Sequence, residues 1–151
     1  MQPTLSTGGE PDPFQLQRFL MAQAGSYEVA LRELRQGQKR SHWMWFIFPQ
    51  VAGLGRSAMA EAYAIRSRAE AKAYLCHPVL GQRLEQCCAA LLQHEGRPVR
   101  DILGAPDDLK LGSSLTLFAM VAPPDSIFQR VLDVFYSGQR DDRTVSFLNL
   151  T

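Results

Sequence analysis

The chain reads as a succession of helix-length apolar stripes separated by glycine, proline and capping residues. Asp12 as a cap and Pro13 at a first helical position open one stripe, through Phe14, Leu16, Phe19 and Leu20. Tyr27, Ala30, Leu31 and Leu34 repeat at i, i+3, i+4 and i+7 and stop at Gly37, a helix and its terminator. Gly53-Leu54-Gly55-Arg56-Ser57 is a glycine turn entering a helix around Met59, Ala62 and Tyr63, with Ser57 as its cap. Ser67 and Glu70 form a capping box for a helix reaching Leu75. After Pro78, the residues Leu80, Leu84, Cys87, Cys88, Leu91 and Leu92 line one face of a helix ending near Gly96.

The stretch from Leu109 to Val121 is apolar almost all round, between Pro106 and Pro123-Pro124, so it predicts a central buried helix. Ser126 with Gln129 opens another, on which Ile127, Phe128, Val131, Leu132 and Phe135 face inward until Gly138. A last short helix is expected from Asp142 to Leu148. No period-2 alternation or Asn-Gly hairpin signal competes with this pattern. The fold class is therefore all-α, a single compact multihelical domain of about seven or eight short helices around a central apolar one.

Length agrees with one folding unit, since 151 residues is within the usual span of a single domain. Residues 1–11, rich in Pro, Ser, Thr and Gly with little apolar content, are expected to be a flexible tail, and 12–151 the helical domain. A formal charge of +1 argues against a strongly basic nucleic-acid coat. No apolar run approaches the roughly 18 residues of a membrane helix, and the first residues lack the basic and apolar regions of a secretory signal. Cys76, Cys87 and Cys88 are odd in number, two of them adjacent, which favours reduced thiols in the cytoplasm. No C-x-x-C is present and His42, His77 and His94 lack ligand spacing, so no metal is expected. Neither a third glycine in the Gly53 turn nor a P-loop lysine is present, so no cofactor is expected either.

Chemistry concentrates in three places. Lys39 to Gln50 holds both tryptophans, and it stacks Lys39, His42, Trp43 and Phe46 if helical, or alternates them if extended. Trp45, Phe46 and Phe48 read first as core anchors. A cation and an imidazole beside an indole make Lys39, His42 and Trp43 a surface for a flat or anionic ligand. At the second place, free amides of the Gly53 turn and the charge of Arg56 are suited to an anion, against the plainer reading of Ser57 as a cap. Residues 30–72 carry eight Lys or Arg against three acids, and the remainder eight against twelve, so the local balance is +5 against −4. The third place is Asp107-Asp108-Leu109-Lys110 with Ser113 and Ser114, where Lys110, Ser113 and Ser114 share a helix face. The aspartates read first as partners of the helix dipole. A lysine on an otherwise apolar helix must find a partner.

Read together, Asp12-Pro13-Phe14, the run from Ser41 to Gln50, Gly53 to Ser57, His77-Pro78-Val79-Leu80-Gly81 and Asp108-Leu109-Lys110 resemble a widespread bacterial family known as domain of unknown function 1810, some members of which carry the label calpastatin. The likeness spans Asp12 to Leu148 and implies a compact helical domain with no established reaction. Calpastatins proper are disordered repeat inhibitors, unlike this periodic, repeat-free chain. Tyr74-Leu75 followed by Pro78, Leu80 and Leu84 also resembles a helix pair of the NAD- and ADP-ribose-associated N-glycosidases, but that family's Glu-His helix is lacking, so none of its catalytic residues is transferred.

Two functions follow as expectations. In one, Lys39, Trp43, Arg56 and Ser113 bind a small anionic or nucleotide-like ligand. His42 or Asp108 then serves as acid or base and Lys110 stabilises negative charge, as in a hydrolase or glycosidase. In the other, the chain is a non-catalytic module docking a protein partner, with nucleic acid a weaker third choice. Whether the chain is an enzyme stays open at this level. Lys39 is expected to be the more solvated lysine and Lys110 the more buried.

Overall fold

Each stripe becomes a helix at the point where its local hydrogen bonds allow one. The structure is a computed structural model that describes residues 11–151, so the expected tail lies, apart from Pro11, outside the described residues. Asp12 does cap a helix, accepting the amides of Leu16 at 2.8 Å and Gln17 at 3.0 Å. That helix, α1 (Gln17–Gln23), starts later than Pro13, because Gln15 turns to φ 55°, a conformation no helix continues. α2 (Tyr27–Gln36) stops where its stripe stops: Gly37 adopts φ 76°, and the amides of Gly37 and Gln38 return to the carbonyls of Leu34 and Glu33. A loop and the single turn α3 (Met44–Ile47) lead to α4 (Ala58–Ala62), α5 (Arg68–Cys76) and α6 (Leu80–Leu92). α7 (Val99–Leu103), α8 (Asp107–Val121), α9 (Ile127–Tyr136) and α10 (Asp142–Asn149) complete the order.

The ten helices among the described residues confirm the all-α class. The count exceeds the expected seven or eight through α3 and α7, turns of four and five residues too short to show a stripe, whereas α4 is the short helix expected after Ser57. Ser57, Ser67 and Ser126 cap as expected, each accepting the amide three residues on. The segment from Lys39 to Gln50 is neither one helix nor one strand, and only Met44–Ile47 is helical. A lone parallel bridge, Val51 to Ile65, is the only β pairing among the described residues.

α8 is the hub, with every residue from Leu111 to Ala119 buried against α5, α7, α9 and α10. α6 joins α2, α5 and α9 on the other side. Aromatic rings run through the centre, Phe46 to Tyr63 to Phe19 to Tyr74 to Phe118 to Phe128, with centroids 5.0–5.9 Å apart. The buried amide of Gln23 stitches them, donating to the Phe46 carbonyl at 2.8 Å and the Tyr74 hydroxyl at 3.2 Å.

Arg18 pins α1 to the α4–α5 connection. Its guanidinium donates to the carbonyls of Phe14, Gln15, Ala62 and Ala64 and pairs with the buried Glu70 carboxylate at 2.7 Å. A lysine has no planar fork to replace these bonds. Arg18→Lys should therefore cost about 2–4 kcal/mol of unfolding free energy, because several carbonyls and a buried carboxylate lose donors together. Urea denaturation at neutral pH checks this, with a loss under about 0.5 kcal/mol, the range of an ordinary surface substitution, as the contrary result.

Candidate functional site at the entrance of helix 8

The site begins with a carboxylate that α2 carries in an unfavourable place. Glu33 lies in the last turn of α2, where the helix dipole opposes a negative charge, and it is buried. The loop after Gly37 supplies what the dipole withholds. The Glu33 carboxylate accepts the amides of Arg40 at 2.9 Å and Ser41 at 3.0 Å, the Ser41 hydroxyl at 2.6 Å and the Trp43 indole N–H at 2.9 Å. Burial by itself pushes the pKa up, but the bonds from Ser41, Arg40 and Trp43 outweigh it and hold the group at about 2, below its ordinary 4.5. The loop is thereby wrapped around one ion, and Trp43 is buried at 1% exposure.

This wrapping delivers Lys39 to α8. The Lys39 amide donates to the Ile102 carbonyl of α7 at 2.7 Å. Its ammonium, with a side chain only 8% exposed, donates to the Ser41 carbonyl at 2.6 Å and pairs with Asp107 Oδ2 at 2.9 Å. It also stands 5.0 Å from the Trp43 ring centroid. The other Asp107 oxygen, Oδ1, faces Lys110 at 3.8 Å, and the Lys110 side chain is 32% exposed, 5.8 Å from the half-buried ring of Trp45. The expected roles of the lysines are thus reversed: Lys39 is the buried ion-pair partner, and Lys110 is the lysine that keeps solvent contact.

Behind Lys110, one turn along α8, the helix opens into a cleft. Gly112 has no Cβ, and one placed there would stand 3.1 Å from Tyr136 Cε2, so the phenol ring of α9 lies directly on the α8 backbone. Its hydroxyl donates to the Asp108 carbonyl at 2.5 Å. Burial, and next the Asp108 carboxylate, push the Tyr136 pKa well above its ordinary 10, so the phenol stays a donor. Leu109, Ser113, Tyr136 and Arg140 border a cavity of about 240 Å³. Arg140 is exposed and donates to Gln129 Oε1 at 2.9 Å. Oδ1 of Asp108 is buried without a hydrogen-bond partner.

The residues singled out in the sequence therefore divide. Lys39, Trp43 and Lys110 meet around Asp107 at the α7–α8 junction, with Trp43 presenting no face to solvent, whereas Asp108 lies toward Tyr136 and Ser113, which back-bonds weakly to Leu109 at 3.4 Å, borders the cavity. Leu109, expected in the core, is 70% exposed. His42 is exposed on the loop, and Arg56 is exposed before α4; neither has a hydrogen bond among the described residues. Glu33, Tyr136 and Arg140 were missed by sequence reasoning. For Glu33 a signal exists, a carboxylate of the wrong sign in a last helical turn. Tyr136 and Arg140 reach the site only through the tertiary packing of α9, which no local spacing encodes. Among the described residues no group of three His, Cys, Asp or Glu could hold a metal, and no helix is long and apolar enough to cross a membrane.

Residues 13–148 match the family model described as protein of unknown function, DUF1810. The chain belongs to that family. The same fold is also seen in a solved structure, the conserved hypothetical protein Rv1873 from Mycobacterium tuberculosis. This chain is 50% identical to it, with a TM-score of 0.90, over 93% of this chain and 100% of that one. No curated protein matches the chain. The family and its solved neighbour both carry the helical scaffold without a stated activity.

Two consequences of the junction are measurable. The Glu33 pKa is lower folded than unfolded, so its contribution to stability is complete above about pH 4.5 and is lost as pH falls toward about 2. The shift corresponds to a contribution on the order of 3 kcal/mol. Glu33→Gln should therefore be destabilised by about 2–4 kcal/mol at pH 7, and the gap from wild type should narrow steadily below pH 4.5 in urea titrations. A gap that is constant from pH 7 to 2.5 would contradict the ionic role. Lys39→Met leaves Asp107 short of its nearer cation and should cost about 1–3 kcal/mol. Lys110→Met, by contrast, should stay within about 0.5 kcal/mol of wild type by the same measurement.

Proposed function

We propose that the α8 entrance binds a small anionic or nucleotide-like ligand, with Lys110 as the cation that meets its charge. The observation carrying this reading is the pairing pattern around Asp107. Lys39 takes one carboxylate oxygen at 2.9 Å, leaving Lys110 at 3.8 Å from the other, half in solvent beside the indole of Trp45 and one turn before Ser113. A weakly neutralised ammonium next to a flat aromatic face is a suitable seat for an anionic group attached to a ring. The adjoining cavity adds the ring of Tyr136, an apolar rim at Leu109, the Ser113 position and the guanidinium of Arg140. Its volume of about 240 Å³ lies below the roughly 300–1,000 Å³ usual for drug-sized ligands, so it takes a sugar phosphate or a nucleotide fragment rather than a dinucleotide.

A hydrolase or glycosidase within this reading would use Asp108, whose Oδ1 is buried and unpartnered, as the acid or base. His42, exposed on the loop, would act only from the rim. Lys39 and Trp43 are positioning residues in this account, since Glu33 and Asp107 already occupy them. Arg56 has no part assigned by the geometry. The free thiols Cys76, Cys87 and Cys88 fit a reducing, cytoplasmic setting. The second reading, a docking module for a protein partner, is supported by Leu109, an apolar side chain 70% exposed at the mouth of the cavity.

A thermal-shift series with sugar phosphates, mononucleotides and their uncharged nucleosides separates the two. The ligand-site reading expects an anionic compound to raise the melting temperature, by an amount equivalent to about 2.7 kcal/mol at 100 times its Kd. Lys110→Ala should abolish that shift while leaving the unliganded melting temperature nearly unchanged. Stabilisation retained in full by Lys110→Ala, or none by any compound, would remove Lys110 from a ligand site and leave the docking reading standing.

A further inference from the structure

A second cavity is remote in sequence from the α8 entrance, at the other end of the same helix. It measures about 500 Å³ and is walled by Leu75 of α5, Val121 and Ala122 at the end of α8, and Ile127 and Phe128 of α9. This volume is within the range of drug-sized ligand sites, and its walls are predominantly apolar.

Two features give the cavity a sign. Its charged residues are Glu85 and Asp125, both acidic and exposed, and neither has an ion-pair partner among the described residues. The second feature is the uncapped end of α8. Ala122 adopts an extended φ of −108° and ψ of 168°, and its amide returns to none of the helix carbonyls. The next two residues, Pro123 and Pro124, have no N–H to offer. The negative end of a fifteen-residue helix is therefore left without the usual backbone cap at the cavity wall. α5 also ends here, at Cys76, but the His77 amide answers its last turn by returning to the carbonyls of Ala73 and Tyr74. α9 begins at the same place, where the Ser126 hydroxyl accepts the Gln129 amide at 3.3 Å.

We propose that this cavity binds a small organic cation with an apolar body, an amphiphilic amine, its hydrocarbon portion against Leu75, Val121, Ile127 and Phe128 and its ammonium toward Glu85, Asp125 and the last carbonyls of α8. The occupant is cationic because both charged side chains at the mouth are acidic and the end of α8 beside them lacks its backbone cap. It is a small molecule because the volume is of ligand size and the walls are contributed by α5, α8 and α9 together rather than by a groove along one helix.

The protein carries its own reporter at this place. Cys76 is exposed and lines the cavity, whereas Cys87 and Cys88 are buried, and burial pushes Cys87 up to about 12 and Cys88 also well above its ordinary value. In the folded full-length chain a thiol reagent therefore reads Cys76 alone. The experiment measures the rate of Cys76 modification by a disulfide chromogen in the presence of 4-phenylbutylamine, 4-phenylbutanol or 4-phenylbutyrate, which share one body and differ in charge. The amine should slow the reaction in a saturable way, the alcohol should do so more weakly, and the carboxylate least. Replacing both acids, Glu85→Gln with Asp125→Asn, should weaken the amine by about five- to tenfold and leave the alcohol unchanged. Both acids are exposed, so this variant folds, and its melting temperature verifies that. Equal protection by all three compounds, stronger protection by the carboxylate, or no protection by the amine at millimolar concentration would each overturn the proposal.

Discussion

One buried carboxylate organises the α7–α8 junction. Glu33 is placed by α2 where its own helix repels it, so it is stable there only while the following loop turns four donors inward. Those same bonds fix Arg40, Ser41 and Trp43, and with them the position from which Lys39 reaches Asp107 at 2.9 Å. The consequence passes through three helices. A charge at the end of α2 decides where the first residue of α8 is held and which of two lysines keeps a free ammonium.

Most of the scaffold was legible because its signals are local. Gly37, Ser57, Ser67, Ser126 and Gly138 mark helix ends through conformations or hydrogen bonds spanning a few residues, and the stripes of α2, α6 and α9 carry their burial in their spacing. The errors occur where a tertiary contact overrides a local rule. Asp12 and Pro13 form a good helix start in sequence, yet Gln15 breaks left-handed while the neighbouring Arg18 reaches carbonyls of a segment more than forty residues away. α7 is too short to show periodicity at all.

The site was half legible for a related reason. Polar residues interrupting apolar runs drew attention to Lys39, Asp108, Lys110 and Ser113; of these the fold joins Lys39 and Lys110 through Asp107, and sets Ser113 on the neighbouring cavity. Which lysine is buried depends on Glu33 and Asp107 competing for donors and cations across the loop, a question of distances that spacing does not encode. Leu109 looked like core because its neighbours are core, but it stands on the first turn of α8, before the helix is enclosed. His42 and Arg56 were chosen for their chemistry beside aromatic or glycine-rich neighbours, and both lie on the outer surface of loops.

The missing side chain at Gly112 ties two positions together over the course of descent. Because the Tyr136 ring rests on bare α8 backbone and anchors its hydroxyl on Asp108, neither residue is free to drift alone. A lineage that gains a methyl at 112 has to accept a displaced or smaller ring at 136, and a lineage that loses the ring exposes backbone that it formerly shielded. Compared across relatives, 112 and 136 should be inherited as a couple, and a broken couple would mark the branch on which the floor of this cavity was rebuilt.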